Sequence, residues 1–200
     1  MLYIAANRKR FSSEVFSLML GVSDEHGASP FWEAVGRKFF GRDFEQVEAE
    51  SGGCSRTFIA EVMPSYPLYV LLLPSAAQRV LGEPNESTLL AYDIHLEEGF
   101  EPDRYVDIFD AGPVLTIAVD KSASASSGEL RAVSDSALES GAPYLVAAGG
   151  AHEFRCALAP LTGTRADGAA LTAATRDALG VQEKDTVRCV PLHQASGELQ

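Results

Sequence analysis

Cysteine is scarce in this 200-residue chain. Its three cysteines, Cys54, Cys156 and Cys189, are odd in number and lie far apart. None belongs to a Cys-x-x-Cys pair, so the chain has neither the spacing of a zinc site nor the cysteine density of a disulfide-rich secreted domain. We therefore expect no metal site and no disulfide framework, and a reducing compartment fits this cysteine usage.

Positive charge is also in short supply. Lysine and arginine number 16 against 28 acidic residues, which gives a formal net charge of -12. Nucleic acids and anionic membranes both require basic surface, so we expect neither as a partner. The acidic surface would attract a small cation, or it keeps the protein soluble.

Long hydrophobic runs are missing. The longest one, Tyr66 to Pro74, is interrupted by proline and is far shorter than the roughly 20 residues that a membrane-spanning helix needs. At the start of the chain, the basic cluster Arg8 to Arg10 follows an apolar stretch, which is the reverse of a secretory signal. We expect a cytoplasmic protein.

The first half of the chain carries alternating helix and strand patterns. Leu2 to Ala6 is typical of the end of a helix, and Glu14 to Val22 of a buried strand. Ser29 and Pro30 suit the N-cap and first position of a helix through Phe40. Further on, the patterns predict a helix over Asn85 to Glu98, followed by strands over Tyr105 to Asp110 and Val114 to Val119.

A change in composition suggests a domain boundary. Lys121 to Gly128, KSASASSG, is rich in small residues and typical of a linker. We therefore predict a first domain over residues 1–120, a linker over 121–142 and a small, mainly β domain over 143–200. The predicted elements of that last domain are strands over Tyr144 to Ala148, Phe154 to Leu161 and Thr186 to Leu192, and a helix over Thr172 to Leu179.

Several longer motifs occur in one order along nearly the whole chain. They are GVSDEHG-SPFW (Gly21 to Trp32), FIAEVMP-YP-Y (Phe58 to Tyr69), EGF with Y-DIFDAGP (Glu98 to Pro113), PYLV (Pro143 to Val146) and EFR (Glu153 to Arg155). Together they resemble the bacterial arginine N-succinyltransferase family.

The resemblance implies both a fold and a chemistry. The expected fold class is α/β (α+β): an acyltransferase (GNAT)-like partial sheet with helices, then a small β-barrel-like C-terminal domain. The expected activity moves a succinyl group from succinyl-CoA, a co-substrate rather than a bound cofactor, to the α-amine of L-arginine in arginine catabolism.

The chain departs from the family pattern in two places. It opens where a family member would already be far into its sequence, so we expect the acyl-CoA pyrophosphate loop to be absent. The second departure is in GEPNE, Gly82 to Glu86, where Asn85 stands at the family's proton-donating histidine. Asparagine cannot exchange a proton near neutral pH, and Asn85 also suits a helix N-cap.

Asp24, Glu25 and His26 follow the first predicted strand, where open α/β sheets gather functional groups. Asp24 and Glu25 are candidates for binding the substrate guanidinium, and a carboxylate beside His26 could orient a general base. The alternative is a polar turn capped by Asp24. Asp107 and Asp110 could likewise bind a cation, but Asp110, before Ala-Gly-Pro, is expected to be a turn residue that bonds its own backbone.

Two functions remain open from the sequence. The first is an enzyme resembling arginine N-succinyltransferase, in truncated form. The second is a catalytically silent partner subunit or remnant of that family. Either could form a homo- or hetero-oligomer.

Overall fold

The computed structural model describes residues 1–43, 46–47, 61–135, 138, 140–162 and 166–192. Cys54 and the first part of the motif Phe58 to Tyr69 lie outside these residues. The chain divides into two compact units, one of Val15–Ile117 and one of Met1–Glu14 with Ala118–Gln200. Among the described residues, no helix has both the length and the apolar character that crossing a membrane requires.

A three-stranded sheet organises the first of these units. Its strands are β1 (Glu14–Leu18), β2 (Glu101–Val106) and β3 (Pro113–Ala118), in the order β1-β3-β2. Central strand β3 alternates as its apolar pattern requires, with Leu115 and Ile117 buried between half-exposed neighbours. β2 ends earlier than predicted, because Asp107 accepts a hydrogen bond from the Phe109 N–H (2.7 Å) and closes a turn.

Short helices follow β1 in this unit. The predicted helix over 30–40 is in fact two helices, α2 (Pro30–Ala34) and α3 (Gly36–Phe40). Ser29 caps α2 by accepting a hydrogen bond from the Trp32 N–H (3.4 Å), as predicted. The Trp32 ring lies where a Cβ on Gly36 would be, so glycine permits the buried indole at the point where the helix breaks.

Two further helices precede β2. α4 spans Ser75–Arg79, and α5 spans Leu89–Glu98 and ends at Gly99, whose φ of 100° supplies the left-handed C-cap that glycine permits. The predicted start at Asn85 is occupied by a separate 3₁₀ helix, Glu86–Thr88, which Asn85 caps.

The other unit contains a five-stranded sheet. Strands β4 (Glu129–Ser134), β5 (Ala142–Ala148), β6 (Arg155–Leu161), β7 (Ala169–Ala170) and β8 (Thr186–Pro191) lie in the order β6-β5-β8-β4-β7. An antiparallel bridge between Thr162 and Ala170 links the end of β6 with β7, so the two outer strands meet as in a barrel.

The core of this unit lies inside the curved sheet. Val133, Val146, Leu161 and Val187 form it with Leu179 of α7 (Ala173–Leu179), among other residues. Cys189 is buried in the same cluster, and burial raises the pKa of its thiol to about 11. The mixed α/β fold class is thus confirmed.

Regular structure occupies part of the segment predicted as a linker over 121–142. Helix α6 (Ala123–Ser126) and strand β4 lie within it, while α1 (Leu2–Ala6) begins the chain. Ser122 is fully buried and caps α6 through the Ala125 N–H (3.0 Å). Small residues here permit close packing, which composition alone does not distinguish from flexibility. The boundaries at 120 and 143 stay a prediction.

Candidate functional site

A cavity of about 680 Å³ opens beside the end of β1. Its wall comes from residues between β1 and α2, from the start of α2 and from the turn after β2. The lining includes the carboxylates of Glu33, Asp43, Asp107 and Asp110 together with His26. Volume and lining suit a small polar molecule.

The backbone segments at the base of this cavity are in direct contact at Gly21 and Gly112. A Cβ built on Gly112 would collide with the Met19 carbonyl and lie 2.6 Å from the Gly21 nitrogen, so neither position tolerates a side chain. We call this contact the Gly21–Gly112 junction. It fixes the residues that follow β1 against the turn that precedes β3.

Asp110 fastens the junction. One carboxylate oxygen accepts a hydrogen bond from the Gly21 N–H and the other from the Gly112 N–H, both at 2.8 Å. The bond to Gly112 confirms the predicted turn role, whereas the bond to Gly21, 89 residues away, was not foreseen. Ala111 between them is fully buried with a φ of 60°, a left-handed conformation that is strained for alanine and that clusters at functional sites.

Asn85 holds the same segment from another side. Its backbone N–H donates to the Leu20 carbonyl (2.8 Å), and its Nδ2 lies 3.1 Å from Ser23 Oγ and 3.3 Å from the Gly21 oxygen. Its Oδ1 accepts from the Ser87 N–H (2.9 Å). Asn85 is therefore an N-cap, as expected, and it is also bonded to two residues that line the cavity.

Asp24 forms a compact turn with the residues after it. Its Oδ1 accepts hydrogen bonds from the backbone N–H groups of His26 and Ala28, both at 2.9 Å. The bonds from Ala28 and then His26 lower the pKa of this carboxyl. Asp24 thus caps a polar turn, which was the alternative to a role in substrate binding. His26, on this turn, lines the cavity.

Glu25 and His26 lie side by side on this turn. Glu25 Oε1 is 3.7 Å from His26 Nε2, and both side chains are more than four-fifths exposed, at 87% and 82%. His26 lines the cavity, while Asp24 and Glu25 lie next to it in sequence but not in its wall.

A charge network at the start of α2 was missed from the sequence. Arg37 Nη1 contacts Glu33 Oε1 at 2.7 Å and Asp43 Oδ1 at 2.6 Å. The hydrogen bond that Arg37 donates to Glu33 and the charge of Asp43 raise the pKa of Arg37. The i,i+4 spacing of Glu33 and Arg37 was the available signal. The aromatic support, in which Trp32 stacks on Phe40 with ring centroids 5.6 Å apart, had no such signal.

Metal-binding groups are absent from the part of the chain that the structure describes. No group of three or more histidine, cysteine, aspartate or glutamate side chains there has the arrangement to hold a metal ion.

Family models match nearly the whole chain. Residues 1–124 match the arginine N-succinyltransferase beta subunit, and residues 128–191 match the C-terminal domain of that subunit. The chain belongs to the arginine N-succinyltransferase family. The resemblance inferred from the motifs is confirmed.

Individual members of the family agree in extent. Arginine N-succinyltransferase subunit alpha of Pseudomonas aeruginosa is 42% identical over 191 residues, which cover 95% of this chain and 56% of the relative. Arginine N-succinyltransferase of Photorhabdus laumondii is 40% identical over 194 residues, covering 96% and 56%. The chain thus spans about half the length of the curated relatives it matches.

A solved structure from the family has the same fold. Arginine/ornithine succinyltransferase subunit AI of Pseudomonas aeruginosa superposes with a TM-score of 0.84 at 35% identity. The match covers 96% of this chain and 55% of that one.

The junction predicts a sharp difference between two glycines. Gly112→Ala forces backbone atoms apart, so we expect a loss of about 1–3 kcal/mol in the free energy of unfolding, typical of overpacking. Gly150→Ala is the control, because nothing lies within 4 Å of a Cβ there; its effect should stay within about 0.5 kcal/mol. Urea unfolding of both variants measures this, and equal midpoints would contradict the junction.

The Asp24 turn predicts a titration in acid. Because the folded-state pKa lies below the ordinary value of 3.8, the carboxylate supports the turn fully above about pH 4 and loses this role as pH falls through the lower pKa. Amide resonances of His26 and Ala28 should shift together at that pKa. Asp24→Asn keeps an accepting oxygen and should abolish the shift. Titration at or above 3.8 would show that the two backbone bonds are not made.

Proposed function

We propose that this chain takes part in transferring a succinyl group from succinyl-CoA to the α-amine of L-arginine, in arginine catabolism in the cytoplasm. The observation that carries the proposal is family membership over nearly the whole chain. Succinyl-CoA acts as a co-substrate. The relatives that carry this activity are almost twice as long as the chain. We therefore propose that the chain acts together with the part of those proteins that it does not match.

The cavity suits the acceptor amino acid. Four carboxylates line it, and carboxylates favour a guanidinium or ammonium group. Glu33 and Asp43 already share Arg37, so we assign recognition of the cationic side chain to Asp24 and Glu25, which directly precede the cavity-lining His26 in sequence. Among the described residues, Oδ1 of Asp24 accepts the two bonds of the turn, and we assign Oδ2 to this role.

His26 is the candidate general base. Imidazole exchanges a proton near neutral pH, and Glu25 Oε1 lies 3.7 Å from His26 Nε2. The free α-amine of arginine then attacks the thioester carbonyl carbon, an oxyanion forms, and the carbon–sulfur bond breaks to release the CoA thiolate. Asn85 stands at the family's proton-donor position and offers an amide there in place of an acid.

A silent partner subunit or remnant is the less favoured function, because the relatives described above carry the name of the enzyme. Both of the names from Pseudomonas aeruginosa include the word subunit, so we propose that this chain also functions within an oligomer. Ornithine, which has the same α-amine and a shorter cationic side chain, is the competing acceptor.

The direct test is an assay for N-succinylarginine. The chain is first assayed alone. It is then assayed as a fusion, called the joined protein, with the part of Pseudomonas aeruginosa subunit alpha that it does not match, and the two parts keep the order that they have in that relative. We expect product from the joined protein, at a low rate because Asn85 replaces an acid. A folded joined protein that yields no product with arginine or ornithine would contradict the proposed function.

Asn85→His is the matching prediction for the catalytic position. Restoring a general acid should raise the succinylation rate of the joined protein, by up to the factor of roughly 10² to 10⁴ that such groups contribute. Losing the N-cap should cost only about 1 kcal/mol of stability. Asn7→His, outside the cavity lining, is the control and should leave the rate unchanged. Equal rates for Asn85 and its histidine variant would show that the position is structural here.

A further inference from the structure

The orientation of the Asn85 amide is fixed by its neighbours. Oδ1 accepts hydrogen bonds from the Ser87 N–H (2.9 Å) and from Ser87 Oγ (2.7 Å). A backbone N–H only donates, so the group facing it must be the carbonyl oxygen and not the nitrogen. Nδ2 consequently points toward Ser23 and Gly21.

This orientation decides the direction of the bond to Ser23. An amide nitrogen only donates, so Ser23 Oγ, 3.1 Å away, is the acceptor. The hydroxyl proton of Ser23 is therefore not used in this bond. Among the described residues, Ser23 Oγ accepts its hydrogen bond from Asn85 Nδ2. Ser23 is half-buried and lines the cavity.

We propose that Ser23 donates this hydroxyl hydrogen bond to the reacting acyl oxygen of the substrate, and that Asn85 positions it. The proposal rests on the proposed function and deepens it. As the amine nitrogen bonds to the acyl carbon, the oxygen gains negative charge, and a placed donor stabilises that charge. The proton stays on Ser23, the amine proton goes to the base, and CoA leaves as the thiolate. The Ser23–Asn85 pair thus supplies a neutral hydrogen bond beside the position where relatives carry an acid.

Asn85→Asp tests the direction of the bond. Aspartate is as good an N-cap as asparagine, so the 3₁₀ helix stays capped. Both carboxylate oxygens only accept, however, so Ser23 would turn its proton toward the new carboxylate and away from the cavity. Ser23→Ala removes the donor directly, and Ser23→Thr retains it. Ser13→Ala is the control, since Ser13 is exposed and is not among the residues that line the cavity.

Kinetics of the joined protein separate this role from a structural one. We expect Ser23→Ala to lower kcat about 10²-fold, as loss of one oxyanion donor does, with KM changed less than about threefold. Asn85→Asp should lower kcat as much, and the double variant no further. Ser23→Thr and Ser13→Ala should retain most of the rate. Losses that multiply in the double variant, or an unchanged kcat in Ser23→Ala, would overturn the proposal.

Product binding gives a readout that does not depend on turnover. N-succinyl-L-arginine carries an amide oxygen where the reacting oxygen was, and its affinity for the chain is measured by calorimetry. We expect Ser23→Ala and Asn85→Asp each to weaken binding about fivefold. Binding that neither substitution weakens, or a wild-type chain that does not bind the product, overturns the role of Ser23. If the joined protein shows no turnover but the wild-type chain binds the product and both substitutions weaken that binding, the result contradicts the proposed function and leaves the role of Ser23 in place.

Discussion

The candidate site depends on the pair of backbone hydrogen bonds that the Asp110 carboxylate accepts. This carboxylate joins two backbone segments that are distant in sequence by accepting one hydrogen bond from the Gly21 N–H and one from the Gly112 N–H. Hydrogen bonds to charged groups contribute roughly 1.5–3 kcal/mol each in mutational series. The two glycines allow the backbones to approach until no Cβ fits between them, so the turn after β2 is in direct contact with the residues after β1.

This attachment positions the cavity-lining residues that follow β1. Gly21 leads directly to Ser23 and to the turn closed by Asp24, and Asn85 fixes Gly21 and Ser23 from the opposite side. His26 is therefore carried by a turn that is held at its base by Asp110 and Asn85. The left-handed Ala111 is buried at the same point, consistent with strain held by the bonds around it.

Local chemistry made much of this structure predictable. Ser29 before proline, Asn85 before a helical turn and Asp110 before Ala-Gly-Pro each bond a backbone N–H two or three residues away. Such bonds depend on neighbours in sequence, so a single chain is enough to predict them. The family motifs extended this to the mixed α/β fold.

Contacts between distant residues were not predictable in the same way. Nothing near Asp110 in sequence indicates Gly21, and nothing near Asn85 indicates Ser23. The break between α2 and α3 depends on how the Trp32 ring packs over Gly36, which helical periodicity does not report. The small residues before β4 are typical of a linker in composition, whereas Ser122 and Ser124 among them are buried.

Native-state hydrogen exchange at the Gly21 amide tests the central claim most directly. If Asp110 holds the junction, this amide should exchange about as slowly as the amides of the central strand β3, and Asp110→Ala should release it selectively. Exchange of the wild-type Gly21 amide at the rate of an unstructured peptide would contradict the account.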